Sequence, residues 1–298
     1  MQTRATPFCA LILGAALPLA LFAPSVHAQE SSPPASSDSA QQQSVQQEEP
    51  GSPIRYSQSG QTLAERTLGD AKAYFTAPLH WDTRNWEFFG GALAAVAAAH
   101  HYDTQARDHY DDGYKSPLGP KESGEITDVL PSAALLVGTW GYASLIGSQP
   151  GKSEAWNMVE STGLSLVTAY ALKYTIRRTG PDSTTDPNHW VSGGSSFPSE
   201  HATMAFAIGT VLAESGNPEY RWIRRVIGYG VGFGTAYLRM KHNAHWLSDT
   251  VAGGALGMAS AHFVMNRSAA REEQEGSEIS LVPVHGGVML AYTTHLSN

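Results

Sequence analysis

Cysteine is almost missing from this chain: among 298 residues Cys9 is the only one. It falls in an apolar stretch, Phe8 to Phe22, that follows Arg4 and precedes Val26-His27-Ala28, a small-x-small cleavage pattern. Residues 1–28 read as a signal peptide, so the exported chain from Gln29 onward has no thiol for disulfides or thiolate metal sites. Charge is scarce too. Asp, Glu, Lys and Arg make up 15% of the chain, against roughly 25% in an average soluble domain. The net charge of −8 supplies no basic face and excludes nucleic acid as a partner. Long apolar runs are nearly absent as well. A membrane-spanning helix needs about 20 apolar residues, and only Val129 to Ser148 reaches that length.

What is present is a set of shorter apolar segments rich in Ala and Gly. They run from Phe88 to Ala99, Val129 to Ser148, Trp156 to Tyr174, Ala202 to Ala213, Val226 to Leu238 and Thr250 to Met265. Their length and lack of strict alternation favour helices over strands. The expectation is an all-α fold, a six-helix bundle, soluble or peripherally membrane-bound, with an integral membrane protein as the alternative. Residues 29–62 are rich in Gln, Ser and Pro and read as a disordered tether, since they hold too little apolar surface to offset ordering entropy. Residues 63–268 form the helical domain, and 269–298 a C-terminal extension. There Ile279 to Val284 and Val288 to Thr293 flank His285-Gly286-Gly287, the pattern of a β-hairpin.

Three stretches place polar groups at the edges of apolar helices. In the first, Lys173, Arg177 and Arg178 crowd a helix end before Gly180-Pro181; cations there also suit the helix dipole alone. In the second, Phe197-Pro198-Ser199-Glu200-His201 opens the helix at Ala202, with Ser199 as N-cap and free amides that suit an anion. In the third, Arg239, Lys241, His242, Asn243, His245 and Asp249 precede another apolar run. With Asn243 as N-cap, His245 and Asp249 stand at i and i+4 on one helix, where a carboxylate can fix the imidazole tautomer. A metal site built from His242, His245 and Asp249 is the competing reading of that stretch.

Together the stretches resemble the signature of the PAP2 (phosphatidic acid phosphatase type 2) and vanadium haloperoxidase superfamily. The signature runs Lys-x6-Arg-Pro, then Pro-Ser-Gly-His, then Ser-Arg-x5-His-x3-Asp. Lys173 and Pro181 match the first part, Pro198, Ser199 and His201 the second, and Arg239, His245 and Asp249 the third. The resemblance covers about residues 85 to 266. It implies a PAP2-type bundle and a phosphatase that needs neither metal nor cofactor, and the signal peptide adds export to the periplasm. In it His245 is the nucleophile, Asp249 orients it, and His201 is the acid and base. Lys173, Ser199 and Arg239 hold the phosphate. Lipid phosphates are the favoured substrates, with a membrane surface as partner. Two positions depart from the pattern: Gly180 stands where the family has arginine, and Glu200 where it has glycine. Arg177 is the first candidate to replace the lost guanidinium and Arg178 the second. Glu200 must turn to a cation, Arg177 or Lys241, to spare the phosphate. A binding protein with weakened catalysis and a vanadate-dependent haloperoxidase are the alternatives these departures leave open.

Overall fold

Helix-forming, Ala-rich segments set the architecture of the computed structural model, which describes residues 54–55, 63–110, 121–275, 277–284 and 287–294. Among these residues there are eight α-helices: α1 (Leu63–Thr76), α2 (Thr83–His101), α3 (Asp103–Tyr110), α4 (Lys121–Leu145), α5 (Gln149–Ile176), α6 (Glu200–Glu214), α7 (Arg221–Lys241) and α8 (Leu247–Glu275). The six expected segments are α2 and α4 through α8. The two additions are α1 and the short, polar α3, whose only aliphatic residue is Ala106. The signal peptide and most of the tether lie outside the described residues.

α6 is the axis of the bundle. It is apolar all round, the pattern of a helix wrapped by neighbours, and every residue from His201 to Ala213 except Met204 is buried. It packs against α5, α7 and α8. One core cluster joins Met158 of α5, Ile208, Val211 and Leu212 of α6, and Ala261 of α8. Met158 is fully buried, so truncation to alanine is expected to cost about 2–5 kcal/mol. α6 and α7 cross at Gly209 and Gly228, where a β-carbon on either would strike the other's carbonyl. That contact lets the two backbones approach closely, and α7 in turn delivers Arg239 from its last turn to the same end of the bundle as the start of α6.

α1 is clamped to the bundle by charge. Arg267 donates to Asp70 at 2.9 Å, and Arg271 donates to the other carboxyl oxygen. Glu160 of α5 lies in the same buried cluster, and neither of its carboxyl oxygens has a hydrogen-bond partner. Burial and the neighbouring Asp70 push its pKa up to about 7.

Among the described residues no helix is long and apolar enough to cross a membrane. This corrects the reading of Val129 to Ser148, because α4 ends at Leu145 and the chain turns at Ile146 and Gly147, so the apolar stretch is not one continuous helix. The C-terminal hairpin forms as expected, as β2 (Ser277–Val284) and β3 (Gly287–Thr294), paired antiparallel from Ser277 opposite Thr294 to Val284 opposite Gly287. A third short strand, β1 (Ile54–Arg55), adds antiparallel to β2, so two residues of the expected tether are in a sheet.

Candidate active site

The bundle's functional end is assembled from the end of α5, the start of α6, the end of α7 and the start of α8. The loop carrying Gly193 to Ser196 closes it. That loop is fixed by backbone bonds: Gly194 and Ser196 donate to the carbonyls of Arg177 and Arg178 at 3.2 and 2.9 Å. Lys173, buried on α5, donates to the Ser195 carbonyl at 2.5 Å. Burial lowers the Lys173 pKa, and Glu200 opposes that shift.

His245 is buried, but it precedes α8 rather than lying on it, since the helix starts at Leu247. The expected i, i+4 stacking on a single helix is therefore absent. The reason is Asn243, which adopts a left-handed turn (φ 54°) and donates to Met240, ending α7 instead of capping α8. The Nδ1 of His245 lies 2.7 Å from the Ser196 carbonyl and 3.8 Å from Asp249. A carbonyl only accepts, so Nδ1 carries the proton and Nε2 is left as the basic nitrogen. Ser196, which lies outside the three stretches singled out in the sequence, is thus the direct orienter. Asp249 acts one bond further back. Its carboxylate accepts from the Ser196 hydroxyl at 2.5 Å and from the Trp246 amide at 3.0 Å, the reach-back of an acidic residue in a helix's first turn. Burial lowers the His245 pKa, and Asp249 works against that.

Ser199 does occupy the N-cap of α6, yet its hydroxyl makes no capping bond and is buried without a partner. Its amide donates to the Asp249 carbonyl at 3.0 Å, tying α6 to α8. His201, the second residue of the same helix, is buried with Nδ1 unpartnered. Burial, followed by the charge of Arg239, pulls its pKa down to about 4. Arg239 donates to the buried Asp128 at 3.0 Å and keeps Nε without a partner. His242 also faces Asp128, at 3.2 Å. Among the described residues no group of three or more His, Cys, Asp and Glu could hold a metal ion, so His242, His245 and Asp249 do not form the competing site.

The two arginines separate sharply. Arg178 is fully buried and donates to Asp249 at 2.5 Å, to Asp103 at 2.6 Å, to Ser248 at 2.8 Å and to the Pro187 carbonyl. Trp190 covers its guanidinium, 4.2 Å from the ring centre. It cannot reach a ligand. Arg177 is not on the face of Lys173 by helical periodicity, because it terminates α5 in the left-handed conformation (φ 51°, ψ 42°). It is exposed all the same, and it lines one cavity of about 510 Å³ with Lys173, Tyr170, Tyr174 and Glu200. Glu200 takes Lys173 as its cation, at 3.7 Å, rather than Arg177 or Lys241. At Gly180 an added β-carbon would sit 3.2 Å from the Ala244 carbonyl and 3.4 Å from the Ser196 hydroxyl, so an arginine there would press on the His245 loop.

Two histidines, a lysine, an arginine and an unused hydroxyl thus converge at one end of a helical bundle, an arrangement suited to an anionic group. Residues 154–273 match the PAP2 superfamily. A lipid A 1-phosphatase from Porphyromonas gingivalis is similar: 31% identical over 113 residues, 36% of this chain. The similarity spans 23% of that relative's length. No solved structure matches the chain.

Proposed function

We propose that this protein is a phosphatase that hydrolyses phosphate monoesters, lipid phosphates above all, through a phosphohistidine on His245. The observation that carries the reading is the bond between His245 Nδ1 and the Ser196 carbonyl at 2.7 Å, which leaves Nε2 unprotonated in a cationic pocket. Nε2 attacks phosphorus while the bond to the leaving oxygen breaks, and His201 gives that oxygen its proton. The departed group is then an alcohol, and His201 is neutral. It next takes a proton from water, whose oxygen attacks phosphorus as the phosphorus–nitrogen bond breaks. Inorganic phosphate leaves, and both histidines return to their starting states. Lys173, Arg239, the Ser199 hydroxyl and the first amides of α6 hold the equatorial oxygens, since phosphoryl transfer depends chiefly on positioning and charge. Asp249, 3.8 Å from Nδ1, meets the charge of the phosphorylated ring.

The match of residues 154–273 to the PAP2 superfamily and the similar lipid A 1-phosphatase support the lipid preference. Exposed Trp222, Ile223, Val226 and Ile227 on α7 and Val137 and Trp140 on α4 support contact with a bilayer surface. Export to the periplasm, by way of residues 1–28, completes the reading. The test is turnover of a phospholipid monoester by wild type, His245→Ala and His242→Ala, with EDTA and with vanadate. His245→Ala is expected to lose several orders of magnitude, and His242→Ala far less. Activity persists in EDTA and is blocked by vanadate, which mimics the five-coordinate phosphoryl group. Loss at His242 with retention at His245, or rescue of an EDTA-treated enzyme by zinc, overturns the mechanism.

A further inference from the structure

The cavity beside Lys173, about 510 Å³, is far larger than a phosphoryl group fills and lies within the range of small-molecule pockets. It opens next to the machinery, because Glu200 Oε1 stands 4.0 Å from His201 Nδ1 and Oε2 stands 3.7 Å from Lys173. A phosphate held by Lys173 with its leaving oxygen toward His201 therefore projects its organic group into this cavity. The lining is distinctive. It holds tyrosines, charged side chains and the backbone of Gly193 to Ser195, and no aliphatic side chain. Its only large apolar surfaces are the ring faces of Tyr170 and Tyr174. An ammonium group meets Arg177 and Lys173, and a second free anion meets Glu200. A group that both donates and accepts hydrogen bonds suits every wall: hydroxyls donate to Glu200 and accept from Arg177. The exposed Tyr170 and Tyr174 offer ring faces to a flat set of C–H bonds.

We infer that Glu200 is a specificity residue for a polyhydroxylated leaving group, so that the substrate is the phosphate ester of a sugar or polyol, with any acyl chains outside the cavity. The glycine-to-glutamate departure in the second motif is then a recognition element and not a defect. The inference rests on the phosphatase reading for its substrate, but it can be measured without turnover. Calorimetry on wild type and Glu200→Gln compares two phosphonates of one ring shape, a glucosyl phosphonate and a cyclohexyl phosphonate. Glu200 is partly exposed at a helix start, so the variant folds. Wild type binds the glucosyl compound more tightly, and Glu200→Gln weakens it by about ten- to a hundredfold, the loss of a charge-assisted hydrogen bond. The cyclohexyl compound stays unchanged or tightens as a repulsive charge disappears. An equal shift in both ligands, or no preference in wild type, overturns the inference and leaves Glu200 as a mere repulsive charge. Selective binding with no hydrolysis of the matching phosphates supports the sugar site while sinking the catalytic reading.

Discussion

Arg178 donates to Asp249 at 2.5 Å with both side chains completely buried. The carboxylate behind the candidate nucleophile is thus held by a guanidinium that never meets solvent, and Asp103 shares that guanidinium at 2.6 Å. Breaking such a pair leaves an uncompensated buried charge, at about 3–5 kcal/mol. Arg178→Ala is expected to lower Tm steeply and to abolish activity with it. Arg177→Ala should leave Tm within a degree or two while lowering kcat/KM about tenfold, through a lost contact at the cavity mouth. Thermal melts and kinetics on both variants check this. A stable Arg178→Ala enzyme would remove Arg178 from its structural role.

The depressed pKa of His201, about 4, makes a sign prediction for catalysis. The proposed acid must be protonated, and in the free enzyme that form predominates only below about pH 4. kcat/KM, which reports free-enzyme groups, should therefore decline as pH rises across the acidic range. His201→Ala should lose that dependence. It should also lose far more rate on an alkyl phosphate than on an activated aryl phosphate, whose leaving oxygen needs no proton. Equal losses on both esters would show that His201 is not the acid.

Glu160 yields a prediction about stability rather than rate. Its folded pKa, about 7, is raised by burial and by Asp70 above the value it has in the unfolded chain. A raised carboxyl pKa contributes stability that is complete at acidic pH and is lost as pH climbs through the folded pKa. Between about pH 5 and 8 the wild-type Tm should fall, with α1 the first element to loosen. Glu160→Gln keeps a neutral side chain throughout and should flatten that fall. Hydrogen exchange along α1 at the two ends of the range locates the effect; parallel Tm curves for the two proteins would refute it.

The sequence showed the bundle and most of its chemistry because both are local patterns. Apolar runs marked six helices, and two short segments flanking His285-Gly286-Gly287 marked the hairpin. Lys173, Ser199, His201, Arg239 and His245 all reach the same end of the bundle. What could not be read was how they are held. The orienting acceptor of His245 is a backbone carbonyl, that of Ser196, and a carbonyl has no side-chain signature. The i, i+4 spacing of His245 and Asp249 suggested one helix, but the left-handed turn at Asn243 delays α8 by two residues past the histidine. Arg177 and Arg178 are adjacent in sequence and opposite in fate because the chain turns left-handed between helix and loop, which periodicity cannot foresee. Asp103 and Asp128 were missed because each sits in a polar stretch with other carboxylates nearby, Asp108 in one case and Glu122 and Glu125 in the other, and nothing local marks it as the partner of a distant arginine.

Those two aspartates bear on what counts as the working unit. The stretch that matches the superfamily begins at residue 154, whereas Asp103 and Asp128 lie upstream of it, on α3 and α4. A fragment cut at the edge of the match would keep Arg178 and Arg239 and strip each of a buried counterion, besides removing the helices that shield them. The smallest portion of this chain able to fold with its site intact must therefore begin no later than α2, which carries His100 against Asp103 at 2.8 Å. The recognisable domain and the autonomous domain are different objects here, and the difference is set by two carboxylates.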